Sequence, residues 1–394
     1  MIGLIALAMA ASKPQPVPAQ IAANPYGAAA HTATGADALI RDAVFGVPGA
    51  TAALSQWLDA HKDAAPDTRK TGLAVLCNVY GAYTWNVARA AACAAAPSED
   101  GDDDAGVAKV LAGTPPVRAR GSARMPLTWN GLGIQTIAVS VNSVDLPWIV
   151  DTGAEISVLS QSSADKLKPH YVQGQFSVGT TTEAVSGRVA MIDLMRIGDA
   201  TVENIPVLVL PDAQLAVGGG RVIPAILGLQ VLNAFHRAAW LDHAKTLVLG
   251  EAAPHAGTGA SRLYWHDEGM GIPVETAAGR QGAFLDTGAN ASLLRPSGLA
   301  LLSAAERASV AQKKVGIGGA GGTVTRMEPE YPHLTFSIAS SPVRLEKVSM
   351  DTRDDQGAAR FGMDMVKQFD LFLLDFEAMR IMAHRAAPTH ARVR

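Results

Sequence analysis

Two aspartates stand out by what surrounds them. Asp151 closes the apolar run in "WIVDTGAEIS" and Asp286 closes the one in "GAFLDTGANAS"; each is followed at once by Thr-Gly-Ala. A pair of carboxylates supplies both partners of general acid–base hydrolysis, one activating a water and the other donating a proton. Held about 3 Å apart, two carboxyls cannot both ionise, so they share one proton and keep both roles available. The flanking residues fit that chemistry. Thr152 and Thr287 are the right size to hydrogen-bond across the floor of such a pair. Gly153 and Gly288 permit unusual φ and let backbone N–H groups approach the acids.

A lone Asp-Thr-Gly is usually a turn, so the weight lies on the elements around it. Shifting the first copy by 135 positions aligns Ile137 with Ile272, Val139 with Val274, Ser157 with Ser292 and Leu159 with Leu294. Farther on, "AILGLQVLNAF" and "ARFGMDMVKQF" each place an apolar residue before a glycine, Gly228 or Gly362, and a Phe seven residues after it. The repeat therefore spans whole lobes, with one carboxylate in each. Short β-type runs separated by turn residues fill both lobes, beginning with "LTWN", Asn130-Gly131 and "IQTIAVSV". Helices are expected at "SSADKLK" and "SAAERASVAQKK".

An apolar strand, Asp-Thr-Gly-Ala, and a later apolar-apolar-Gly segment, occurring twice, resemble the lobes of an aspartic protease. The Ala after each Gly is closer to the retropepsin branch than to the pepsin branch. The resemblance covers residues 125–384 and implies a mainly β fold of two pseudo-two-fold related lobes, with Asp151 and Asp286 as the catalytic dyad. It implies an extended protein or peptide substrate lying under two flaps. These are placed at "VGTTTEAVSGRV", with Gly179 and Thr180, and at "VGIGGAGGTV", with Gly318 and Gly319. Neither tip carries the Tyr of pepsin-like flaps. The second flap also satisfies G-x-G-x-x-G, but β-branched alternation follows it where a nucleotide site requires a helix.

The expected organisation is a signal peptide at 1–11, a Pro/Ala-rich spacer at 12–35, a small helical domain at 36–97 and an acidic linker at 98–124. Lobe 1 follows at 125–250, an inter-lobe linker at 251–262, lobe 2 at 263–384 and a tail at 385–394. The first segment has a short apolar core and an Ala-x-Ala site but no positively charged start, and it points to a periplasmic or secreted protein. The two cysteines, Cys77 and Cys93, either pair in an oxidising compartment or pack as small buried residues. Along one continuous helix sixteen steps would part them by about 24 Å, so pairing demands a hairpin near Gly81.

With 394 residues, 48% hydrophobic and 18% charged, the chain is long enough for two or three domains. A net charge of −3 without a basic stripe argues against nucleic-acid binding, and no segment is apolar for long enough to span a bilayer. No metal or cofactor is expected. "PSEDGDDDAG" reads as solvated linker, and His266, Asp267 and Glu268 read as a solvated turn because neighbours on a strand face opposite ways. Two other readings stay open beside the monomeric endopeptidase. One is a peptide-binding module without turnover; the other is a protease active only as a homodimer.

Overall fold

A computed structural model describes residues 15–83, 87–96, 104–131, 133–172, 174, 176–178, 185–266, 269–277, 279–319, 321–352 and 357–385. The segment 1–11, read as a signal peptide, lies outside these residues, as do Asp267 and Glu268.

The N-terminal part is helical. Gly35–Val44 carries Asp37 in its first turn and Arg41 in its last, each complementing the helix dipole, and buries Ile40, Ala43 and Val44 along one face. Ala50–Ala60 buries Leu54 and Leu58. Gly72 of Pro66–Tyr83 packs so closely that a Cβ there would stand 3.1 Å from Leu58 Cδ1, which explains a glycine inside a helix. Helices also occupy Val17–Ala23 and Ala28–His31, inside the stretch read as spacer, and Asp104–Leu111, inside the stretch read as acidic linker. The last earns its place by burying Val107, Ala108 and Leu111.

Helices Pro66–Tyr83 and Val87–Ala95 form a hairpin that brings the Cα atoms of Cys77 and Cys93 to 4.7 Å, and the two are joined by a disulfide. The disulfide sits in an apolar cluster with Ile149, Ile156, Val158 and Ile226 of the first lobe. The helical region also reaches the second lobe, where Gly282 N donates to Asn24 Oδ1 at 2.9 Å and Tyr26 Oη donates to Arg262 O.

The β part is two lobes, a ten-stranded sheet and an eight-stranded sheet, and their central strands repeat one another. In lobe 1, Val144–Val150 runs parallel to Ala225–Leu227, which pairs antiparallel with Ser157–Ser160. In lobe 2, Gly279–Leu285 runs parallel to Ala359–Phe361, which pairs antiparallel with Leu293–Leu294. A third, six-stranded sheet is shared. Ala123–Pro126, Arg237–Leu241 and Thr246–Leu249 from the first half pair with Ser261–Arg262, Leu371–Asp375 and Arg380–His384 from the second, the two halves meeting where Arg237–Leu241 lies against Leu371–Asp375.

One expected helix is shorter than its composition suggested. In "SAAERASVAQKK" only Ala304–Ala308 is helical, started by a capping box between Ser303 and Glu306. Residues 311–314 belong instead to the strand Ala311–Gly319, paired along its length with Gly322–Ile338. Cross-strand pairing there overrides the helix propensity of Ala, Gln and Lys.

Candidate active site

Both aspartates emerge at the ends of their strands in the same way. Asp151 N donates to Leu227 O at 3.0 Å, and Asp286 N donates to Phe361 O at 2.9 Å. The chain then passes under each loop at a glycine. A Cβ on Gly228 would lie 2.8 Å from Ala154 O, and one on Gly362 would lie 2.8 Å from Ala289 O. The aligned serines hold these crossings, with Gly228 N donating to Ser157 Oγ and Gly362 N donating to Ser292 Oγ, both at 3.0 Å. Ser292 Oγ in turn donates to Asp364 Oδ1 at 2.6 Å, and burial pushes that carboxyl above its ordinary range.

The threonines join the lobes. Thr152 N donates to Thr287 Oγ1 and Thr287 N to Thr152 Oγ1, each at 3.1 Å. Each hydroxyl then donates onward into the opposite lobe, Thr152 Oγ1 to Leu285 O at 2.6 Å and Thr287 Oγ1 to Val150 O at 2.9 Å. Both threonines are fully buried. This reciprocal bridge fixes the two Asp-Thr-Gly turns against each other, and the carboxyls of Asp151 and Asp286 come within hydrogen-bonding reach.

Gly153 and Gly288 serve by lacking a side chain. A Cβ on Gly153 would stand 3.0 Å from Asp286 Cγ, and one on Gly288 would stand 2.7 Å from Asp151 Oδ1. The unusual φ expected of them is not present, since neither is among the residues with positive φ. Their backbones approach the acids as expected: Gly153 N donates to Asp151 Oδ1 at 2.7 Å and the Gly288 N–H also donates to the Asp151 carboxyl, while Asp286 Oδ1 accepts from Ala289 N at 2.9 Å. Burial, and then the charge of Asp286, push the Asp151 carboxyl up to about 8. One proton is thereby retained on the pair at neutral pH.

Of the flap residues, Gly179 and Thr180 lie outside the described residues. Gly318 and Gly319 end the strand Ala311–Gly319 at the tip of a long hairpin. That tip crosses to lobe 1: Gly321 N donates to Gln214 O at 2.7 Å, and a Cβ on Gly318 would be 3.7 Å from Val217 Cβ.

Three residues of the site were not singled out from sequence. Gln135 is completely buried beneath the threonine bridge. Its Nε2 donates to Thr287 O at 3.0 Å and Val150 O at 3.2 Å, its other contact is Met363 Sδ at 3.1 Å, and its Oε1 accepts from Trp240 Nε1 at 3.0 Å. The signal was there: Gln135 shares strand parity with the buried Ile137, Val139 and Val141. Arg89 of the helical hairpin pairs with Glu155 in the first Asp-Thr-Gly loop and donates through Nε to Cys77 O at 2.9 Å. Arg360 brings its Nε to 3.7 Å from Asp286 Oδ2.

Among the described residues no group of three His, Cys, Asp or Glu side chains is arranged to hold a metal ion. No helix among them is long and apolar enough to cross a membrane.

Residues 137–231, which carry the first carboxylate, its Thr-Gly-Ala and Gly228, match the family model described as aspartyl protease. The match ends before the second copy, so Asp286 is tied to it by the repeat and by the threonine bridge. Among solved structures the chain is similar to conglutin gamma, a basic 7S globulin from lupine seeds. The two are 11% identical over 66% of this chain and 94% of that one, with a TM-score of 0.45. No curated protein matches the sequence.

Proposed function

We propose that the protein is a single-chain aspartic endopeptidase in which Asp151 and Asp286 form the catalytic dyad. The observation that carries this reading is the reciprocal Thr152–Thr287 bridge, which holds two carboxyls from the two lobes in contact. A water between them gives a proton to the ionised carboxylate and attacks the peptide carbon, while the protonated carboxyl donates to the carbonyl oxygen. The tetrahedral intermediate then collapses as a carboxyl proton passes to the leaving nitrogen, and the C–N bond breaks. Proton roles exchange between the two aspartates in each turnover, so no metal or covalent intermediate is needed.

The substrate on this reading is an extended peptide between the dyad and the hairpin Ala311–Ile338, its backbone meeting strand edges and its side chains filling pockets. Both halves of the dyad come from one chain, which supports a monomeric enzyme. Export belongs to the same proposal and is supported by the disulfide between Cys77 and Cys93. The test is cleavage of a random peptide library by the wild type beside Asp151→Asn. Cleavage that disappears in the variant is expected; tight peptide binding by the wild type without cleavage would leave only a binding module.

A further inference from the structure

The two copies of the repeat differ in kind beside the dyad. Two residues before Gly228 stands Ile226, and two residues before Gly362 stands Arg360. Their settings are otherwise equivalent. Ile226 is in register with Ile149, two residues before Asp151, and with Val158; Arg360 is in register with Phe284, two residues before Asp286, and with Leu293. Ile226 packs in an apolar cluster with Ile149, Val158, Phe176 and Ile223. Where lobe 1 presents hydrocarbon next to its carboxylate, lobe 2 presents a guanidinium.

That guanidinium is not used up by Asp286. The Nε to Oδ2 distance of 3.7 Å is an ion pair but too long for a hydrogen bond, and the two side chains are 16% and 14% exposed. Arg–carboxylate pairs frequently form a bidentate fork, and this one does not. Arg360 carries five N–H donors, and among the described residues none of them meets an acceptor at hydrogen-bonding distance. A second arginine lies on the same face of the sheet but farther out, in the hairpin where Arg326 is in register with Val315. Arg360 is in register with Leu293, Leu293 with Ser349 and Ser349 with Glu330; Arg326, four residues along that last strand, shares the parity of Glu330. Among the described residues Arg326 Nη1 is buried with no hydrogen-bond partner. The lobe-2 wall beside the dyad thus holds the Arg360 guanidinium with donors to spare, in a place where a mostly desolvated charge is costly unless an anion arrives.

We propose that Arg360 is a specificity-determining residue that selects an acidic side chain, Asp or Glu, in the substrate residue lying on the lobe-2 side of the scissile bond. This deepens, and rests on, the peptidase reading above. A carboxylate brought next to a dyad that already holds one negative charge would be repelled. The Arg360 guanidinium between them converts that repulsion into two favourable contacts, one fixed on Asp286 and one made by substrate.

The experiment uses matched peptides carrying Glu, Gln or Leu at each position flanking the bond, cleaved by wild type, Arg360→Ile and Arg360→Lys. Wild type should favour Glu over Gln at one flanking position by about ten- to a hundredfold in kcat/KM, the range of a hydrogen-bonded charge contact. Arg360→Ile, which copies lobe 1, should shift that position to Leu, and Arg360→Lys should keep part of the acidic preference. Equal use of Glu and Gln by wild type, which needs no variant to fold, would overturn the proposal. So would an equal loss on all three peptides in Arg360→Ile. If wild type cleaves none of them, the peptidase reading fails by itself, and binding of the same peptides to Asp151→Asn protein decides this one. Tighter binding of the Glu peptide, abolished by Arg360→Ile, supports the acidic site; equal binding refutes it.

Discussion

Replacing Gln135 with Leu keeps the side-chain volume and removes every polar contact beneath the threonine bridge. Two buried groups then lose a partner outright: Trp240 Nε1, which donates to Gln135 Oε1, and Thr287 O, which accepts from Gln135 Nε2. Val150 O loses the same donor but keeps the bond from Thr287 Oγ1, so it is not orphaned. At roughly 1–3 kcal/mol for each orphaned buried group, Gln135→Leu should cost about 2–6 kcal/mol. Leucine's own burial offsets a part of this. Because the lost contacts join lobe 1, lobe 2 and the shared sheet, the dyad should also loosen, and kcat should fall more than KM rises. Denaturant unfolding and steady-state peptide cleavage measure the two effects. A midpoint shift corresponding to less than about 1 kcal/mol, with kcat unchanged, would refute the argument that Gln135 holds the bridge from below.

Other outcomes follow from the same geometry. The Asp151 carboxyl is pushed up to about 8, so the pair should lose its shared proton, and peptide cleavage by the proposed dyad should stop, as pH rises through that region. The folded state binds more protons than the unfolded chain between the ordinary carboxylate range and about 8. Stability should therefore decline as pH rises across that window, and the decline should be shallower in Asp151→Asn, as unfolding at stepped pH would record. Reduction of Cys77–Cys93 releases a loop with a sequence separation of 16, worth about 3 kcal/mol in the unfolded chain; thermal unfolding with and without reductant checks it, and an unchanged transition would contradict it.

The repeat made much of the site readable. Asp151, Thr152, Gly228 and Ser157 have partners at Asp286, Thr287, Gly362 and Ser292, and every one of those pairs meets equivalent backbone in the two lobes. What the repeat hid was asymmetry. Arg360 replaces an isoleucine, Ala289 N does on one side what Gly153 N does on the other, and Gln135 has its partners in segments far along the chain. The reason for Gly153 and Gly288 was also beyond local reasoning, because their missing Cβ atoms make room for a carboxylate from the opposite lobe. The shared sheet and the Arg89–Glu155 pair escaped for the same reason: strand pairing and ion pairing between distant segments leave no local pattern.

Asp151 and Asp286, the carboxylates of the proposed dyad, come together within one chain. That they act as a pair there is tested most directly by initial-rate peptide cleavage with wild type, Asp151→Asn, Asp286→Asn and an equimolar mixture of the two variants. The expected result is activity in the wild type that scales linearly with enzyme concentration, none in either variant, and none in the mixture. Substantial cleavage by a single variant would remove the dyad, and recovery in the mixture would show lobes pairing between chains.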